Sequence, residues 1–168
     1  MTTRLATEAD IPLLDTMLTN MEQRKSEAAI REMLAAPYIA VIHETAGAPD
    51  GFYFFTEGGL TQPSLLGPGD GPHESLRAWV KAICEMGQFI DQERQRRHPT
   101  WDLNATEIIT RIWTKNLALR TYIEQQFNWK KRTKPTAEGY DEVGTMREYH
   151  IKRSTLMASV ADVLTRLG

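Results

Sequence analysis

The sequence predicts an α/β domain of the α+β kind, with strands and amphipathic helices interspersed along the chain. Three stretches carry that prediction. The runs "YIAVIHE", Tyr38 to Glu44, and "EIITRIW", Glu107 to Trp113, are rich in β-branched and aromatic residues, as strands are. Between them, Glu74 to about Arg97 repeats Leu76, Trp79, Val80, Ile83, Met86 and Phe89 or Ile90 at helical spacing, so it reads as one helix with a single apolar face. A chain of 168 residues, 41% hydrophobic and 25% charged, has the profile of one globular domain with its own core.

The remaining elements follow in order. A short extended piece at Thr3 to Ala6 leads to Thr7 and Asp10, both good helix N-cap types. Ile11, Leu14, Met17 and Leu18 then fall at helical spacing, and Ser26 to Ala35 repeats the pattern before Pro37 closes it. After the first long strand, "AGAPDG" reads as a turn into a second strand, Phe52 to Thr56, which makes a hairpin. Pro63 weakens the next run, leaving only Ser64 to Leu66 as strand. The helix from Glu74 would reach roughly 35 Å at 1.5 Å per residue, and Pro99 ends it. Strand Glu107–Trp113 passes directly into a helix, Asn116 to Gln126. Extended pieces at Asn128 to Lys134 and Thr145 to Lys152 flank "PTAEGYDEVG", which reads as a hairpin loop. Leu156, Met157, Val160, Val163, Leu164 and Leu167 form an apolar stripe on a final helix, Ser154 to Gly168.

Composition excludes several classes. A formal net charge of −2 gives no global attraction to nucleic acid or an anionic membrane. No apolar run approaches about 18 residues, and the start "MTTRLATEAD" has no signal-peptide core, so the expected location is the cytoplasm. The single Cys84 excludes an internal disulfide. His43, His73, His98 and His150 lack the short spacings of helix-borne ligands, so no metal site is expected.

The element order resembles that of the GNAT acetyltransferase superfamily, as does the opening "TTRLATEADIPLL". The most specific stretch is "WTKNLALRTYIEQQFNWKKR", where Ala118, Tyr122 and Phe127 match the family's spacing after the strand. Two departures stand beside the match: Asn116 lies one residue closer to Ala118 than the family pattern places it, and Gln126 replaces the expected glycine. The resemblance implies a GNAT-like domain over residues 1–153, with a mixed, mostly antiparallel sheet of about six to seven strands flanked by helices. Residues 154–168 would add a C-terminal helix packed on the domain or on a partner, a second copy included.

The resemblance also implies a chemistry, in which acetyl-CoA donates its acetyl group to a small-molecule or protein amine. Tyr122 would protonate the departing thiolate, and Asn116 would hydrogen-bond the pantetheine arm. On the residues alone Tyr122 reads equally as a member of an apolar face with Leu119 and Ile123. Glu44 and Glu57 end the hairpin strands and are candidate general bases. In the family a Gly-rich turn opens the long helix and cradles the CoA phosphates. Here "LLGPGDGPHESLRAW" supplies Gly67, Gly69 and Gly71, but Pro68 and Pro72 remove amide donors, and Asp70 and Glu74 bring negative charge. Lys130 and Lys131, in "WKKRTK", are alternative phosphate contacts, and this basic strand also suits a nucleic-acid backbone, which the net charge argues against. The loop keeps a second function open: a catalytically inactive GNAT-fold component, similar to internal virion proteins of short-tailed phages, located in the host cytoplasm or the virion.

Overall fold

A computed structural model describes residues 2–20, 24–56, 60–65, 76–105, 107–115 and 117–168. The chain runs through β1 (Thr2–Leu5), α1 (Ile11–Asn20), α2 (Glu27–Met33), β2 (Tyr38–Thr45), β3 (Ala48–Thr56), β4 (Leu60–Leu65) and α3 (Leu76–Arg97). It continues with β5 (Glu107–Trp113), α4 (Leu117–Phe127), β6 (Gly139–Val143), β7 (Met146–Lys152) and α5 (Arg153–Leu167). The seven strands form one sheet in the order β1-β2-β3-β4-β5-β7-β6. Every neighbouring pair is antiparallel except β4 with β5.

Local chemistry sets the element ends. Asp10 accepts a hydrogen bond from the Thr7 N–H at 2.8 Å, and Ser26 Oγ accepts from the Ala29 N–H at 3.2 Å, so polar side chains satisfy donors where helical structure begins. The β2–β3 turn is tighter than expected. Only Ala46 and Gly47 lie in it, with φ of 53° and 78°, the left-handed pair that a two-residue hairpin requires. β3 therefore begins at Ala48, four residues before the expected start.

Two further strands differ from expectation. β4 extends back to Leu60 through Pro63, which faces Tyr53 of β3. Among the described residues, β5 pairs with β4 only at Leu60 and Thr61, so Pro63 sits where one edge of the strand has no neighbour, a position that tolerates a proline. The segment expected as a hairpin loop contains β6, whereas Asn128 to Lys134 contributes a bridge, Lys131 to Tyr140, and no full strand. Asn128, at φ 54°, breaks the run as α4 ends. Gly139, at φ 137°, is needed because a Cβ there would run into the Lys130 carbonyl oxygen.

The helices cover the sheet unequally. α1 and α2 pack Leu14, Leu18, Ile30 and Met33 against Ala40, Ile42 and Phe52 of β2 and β3. On the other face α3 sets Met86 and Ile90 against Ile39, Val41, Tyr53 and Phe55. α3, α4 and α5 then join over β5 and β7, burying Val80, Ile112, Leu119, Ile123, Tyr149, Val160 and Val163 in one cluster. β2 is buried on both faces, which explains its continuous apolar run. Among the described residues no helix is long and apolar enough to cross a membrane.

Candidate active site

The irregular place in the sheet lies between its two parallel strands. Among the described residues, β4 and β5 hold register at Leu60 with Ile109 and Thr61 with Thr110, whereas β5 and β7 pair over seven residues, Glu107 to Trp113. Beyond Thr61 and Thr110 the ladder stops. Below this gap, on the face of α3 to α5, a cavity of about 580 Å³, partly open to solvent, reaches Thr110 and Ile112 on β5. Its wall is apolar: Val80 and Ile83 of α3, Ile123 and Phe127 of α4, Trp129, and Leu156 and Val160 of α5.

Tyr122 stands on α4, half-buried against the cluster formed by α3, α4 and α5. It is next to Ile123 in the cavity wall but does not line the cavity itself. Glu44 lies elsewhere, its carboxylate accepting from Arg4 Nε at 3.0 Å across the β1–β2 pair, with β3 and β4 between it and the gap. The structure does not bring Glu44 and Tyr122 together. Lys130 and Lys131 are exposed, and their backbone joins β6: the Tyr140 N–H donates to the Lys130 carbonyl at 3.0 Å. Glu57, Gly67, Gly69, Gly71 and Asn116 lie outside the described residues, as do Asp70 and Glu74.

Sequence reasoning missed the polar cluster beside the gap. Ile108, Ile112, Tyr149 and Ile151 are buried in the sheet, Ile112, Tyr149 and Ile151 among them in the cluster under α3 to α5, so strand alternation sends Glu107, Arg111, Glu148 and His150 to the opposite face. There His150 sits between two carboxylates, Nδ1 at 2.9 Å from Glu107 Oε1 and Nε2 at 2.6 Å from Glu148 Oε1. Arg111 Nε donates to the other Glu148 oxygen at 2.7 Å. Burial pushes the Glu148 carboxyl up, but the hydrogen bonds from Arg111 and His150 outweigh it and hold the group below the usual carboxylate range. Ile109, between Glu107 and Arg111 on β5, pairs with Leu60 on one side and His150 on the other, which places His150 across β5 from the paired end of β4, with Arg111 just past that pairing. The signal was the alternation in "REYHIK", Arg147 to Lys152, but only the β5–β7 register shows what each residue faces.

Two other titratable groups have structural work. His43, fully buried on β2, places Nδ1 2.6 Å from Asp50 and Nε2 2.8 Å from Glu85 of α3, tying sheet to helix. Cys84 lies in the cavity wall, and burial pushes its thiol up to about 12, so it stays protonated and is not a nucleophile.

Neither a protein-family profile nor a curated protein matches the sequence. Solved structures do match. A ribosomal-protein-alanine N-acetyltransferase from Brucella melitensis has a TM-score of 0.54 at 14% identity, covering 91% of this chain and 99% of its own. A variant of the spermidine N-acetyltransferase from Vibrio cholerae has a TM-score of 0.57 at 10% identity, covering 94% and 98%. The aminoglycoside acetyltransferase AAC(6')-Ib, solved in complex with coenzyme A and kanamycin, has a TM-score of 0.53 at 19% identity, covering 94% and 97%. At such identities the likeness is one of fold, and it spans nearly the full length of both chains. With one parallel pair parting inside an otherwise antiparallel sheet and helices on both faces, the chain has the fold of the GNAT acetyltransferases.

Proposed function

We propose that the protein is an N-acyltransferase that moves an acetyl or related acyl group from acyl-CoA to an amine. The observation that carries this reading is the gap between β4 and β5, which has an apolar cavity on one face and an acid–base cluster on β5 and β7 on the other. The donor thioester lies in the gap. The amine approaches from the side of Glu107, Glu148 and His150, where carboxylates attract a cation and Glu148 or His150 takes the proton that must leave before nitrogen can attack. The nitrogen bonds to the thioester carbonyl carbon, the C–S bond breaks, and the thiolate receives a proton from the Tyr122 hydroxyl. Asn116 holds the pantetheine arm. Gly67, Gly69 and Gly71, with Lys130 and Lys131, supply phosphate contacts, and Glu57 is a second base candidate. Solved structures with this fold include acetyltransferases of amine substrates, one of them in complex with coenzyme A.

Pro68, Asp70, Pro72 and Glu74 favour a second reading, because they oppose a phosphate cradle: the fold persists as a non-catalytic assembly component, for example of a phage virion. A thiol-release assay with acetyl-CoA and a panel of small amines and N-terminal peptides decides between the two. Turnover above the hydrolysis background supports the enzyme. Release that no amine accelerates removes the proposal and leaves the non-catalytic reading.

A further inference from the structure

The cavity below the gap continues past the β5 side chains that face it. It adjoins a second hollow, with Tyr53, Gly87, Leu156 and Met157 lining both, so the space runs on along α3 toward Ile90. The walls are predominantly apolar. Two independent features point to what fills it.

The first is Gly87, inside α3, where a glycine costs backbone entropy that an alanine would not. A Cβ added there meets nothing within 4 Å. No close backbone approach requires this glycine; its effect is to leave the passage between the two hollows open. The second is Trp129, whose indole Nε1 is buried without a hydrogen-bond partner among the described residues. Its ring lines the cavity and is fixed by stacking on Phe127, with centroids 4.6 Å apart, and by tilted contact with Tyr149 at 5.6 Å. Buried donors are normally satisfied, so an orphan N–H in a cavity wall is a place for a ligand acceptor atom.

An apolar chain carrying one carbonyl meets both requirements. We propose that this cavity binds the acyl chain of the donor thioester, a chain longer than acetyl, with Trp129 donating to a carbonyl oxygen at its head. The inference rests on the acyltransferase reading and gives it a donor class: longer-chain acyl-CoA in preference to acetyl-CoA. The transfer step is unchanged, with the N–C bond formed and the C–S bond broken at the gap.

The test is calorimetric titration of the full chain with acetyl-, butanoyl- and hexanoyl-CoA. Affinity should rise up to about fourfold per added methylene, the factor for complete burial of a CH₂. Gly87→Leu, which fills the passage at a helix-compatible position, should abolish that gain and leave acetyl-CoA binding unchanged. Trp129→Phe keeps the stacked ring, removes the donor, and should weaken hexanoyl-CoA several-fold. Equal affinity for acetyl- and hexanoyl-CoA in the unaltered protein overturns the inference without reference to any variant, as does a chain-length gain that survives in a folded Gly87→Leu protein. If no CoA ester binds at all, the acyltransferase reading itself fails and the inference falls with it. Binding of acetyl-CoA without a chain-length gain overturns the inference alone.

Discussion

Tyr149 lies on β7 under α3 to α5 and Tyr122 stands on α4 beside it in the same cluster, but burial separates the two phenols. Tyr149 is almost fully buried, its hydroxyl donates to Glu124 at 3.0 Å, and burial pushes it far above the ordinary tyrosine value. Such a proton is not given up. Tyr122 is half-buried against that cluster and is the phenol proposed above as the general acid. Tyr122→Phe should slow acyl transfer by about 10²- to 10⁴-fold with unchanged donor affinity, read by steady-state kinetics beside a binding titration. Unchanged turnover would remove Tyr122 from the mechanism. Glu93 gives a prediction about pH. Hydrogen bonds from Arg96, at 2.5 Å, and Arg97, at 2.9 Å, hold its carboxyl down at about 2 from an ordinary 4.5. Because the folded-state value is depressed, the stabilisation is complete above about pH 4.5 and is lost as pH falls toward 2. Glu93→Gln should cost about 2 kcal/mol at pH 7, with thermal melts of the two proteins converging as pH approaches 2. Tyr122 is proposed from its spacing to Ala118 and Phe127, a pattern visible in the sequence. The pairing of His150 with Glu107 and Glu148 was not visible there, because it depends on a β5–β7 register that no local pattern specifies.

At the level of elements, periodicity was informative wherever one face is buried. The stripe from Leu156 to Leu167 reads directly as α5, and its Val160, Val163 and Leu167 are buried in the cluster shared with α3 and α4. At roughly 1.5 to 3 kcal/mol per buried aliphatic side chain, those three contribute on the order of 5 to 9 kcal/mol, comparable with the whole stability of a domain. Truncation after Lys152 should therefore abolish cooperative unfolding by circular dichroism, and Val163→Ala alone should cost about 2 kcal/mol. A truncated chain that melts like the parent would show that α5 contributes nothing to the core. β6 was hidden because "GYDEV" has strand character only through Tyr140 and Val143, and its place comes from pairing with β7 and the Lys130 to Arg132 backbone. Pro63 misled for the opposite reason, since the local rule against proline does not apply where β4 lacks a second neighbour.

For the whole molecule, the order of strands and helices gave the architecture, but the parting of β4 from β5 follows from pairings between residues nearly 50 positions apart. Such contacts leave no periodic trace in the sequence. The gap, the apolar space on one face and the acid–base cluster on the other together make the case that an acyl thioester lies between the two strands. The charge of the Gly67 to Glu74 segment opposes it. Calorimetric titration of the full chain with acetyl-CoA sets these against each other in one experiment. The expected result is saturable binding of one molecule per chain with a dissociation constant well below millimolar, and weaker binding as salt screens the phosphates. No heat of binding at millimolar acetyl-CoA would contradict it and leave the GNAT fold in this protein without its donor.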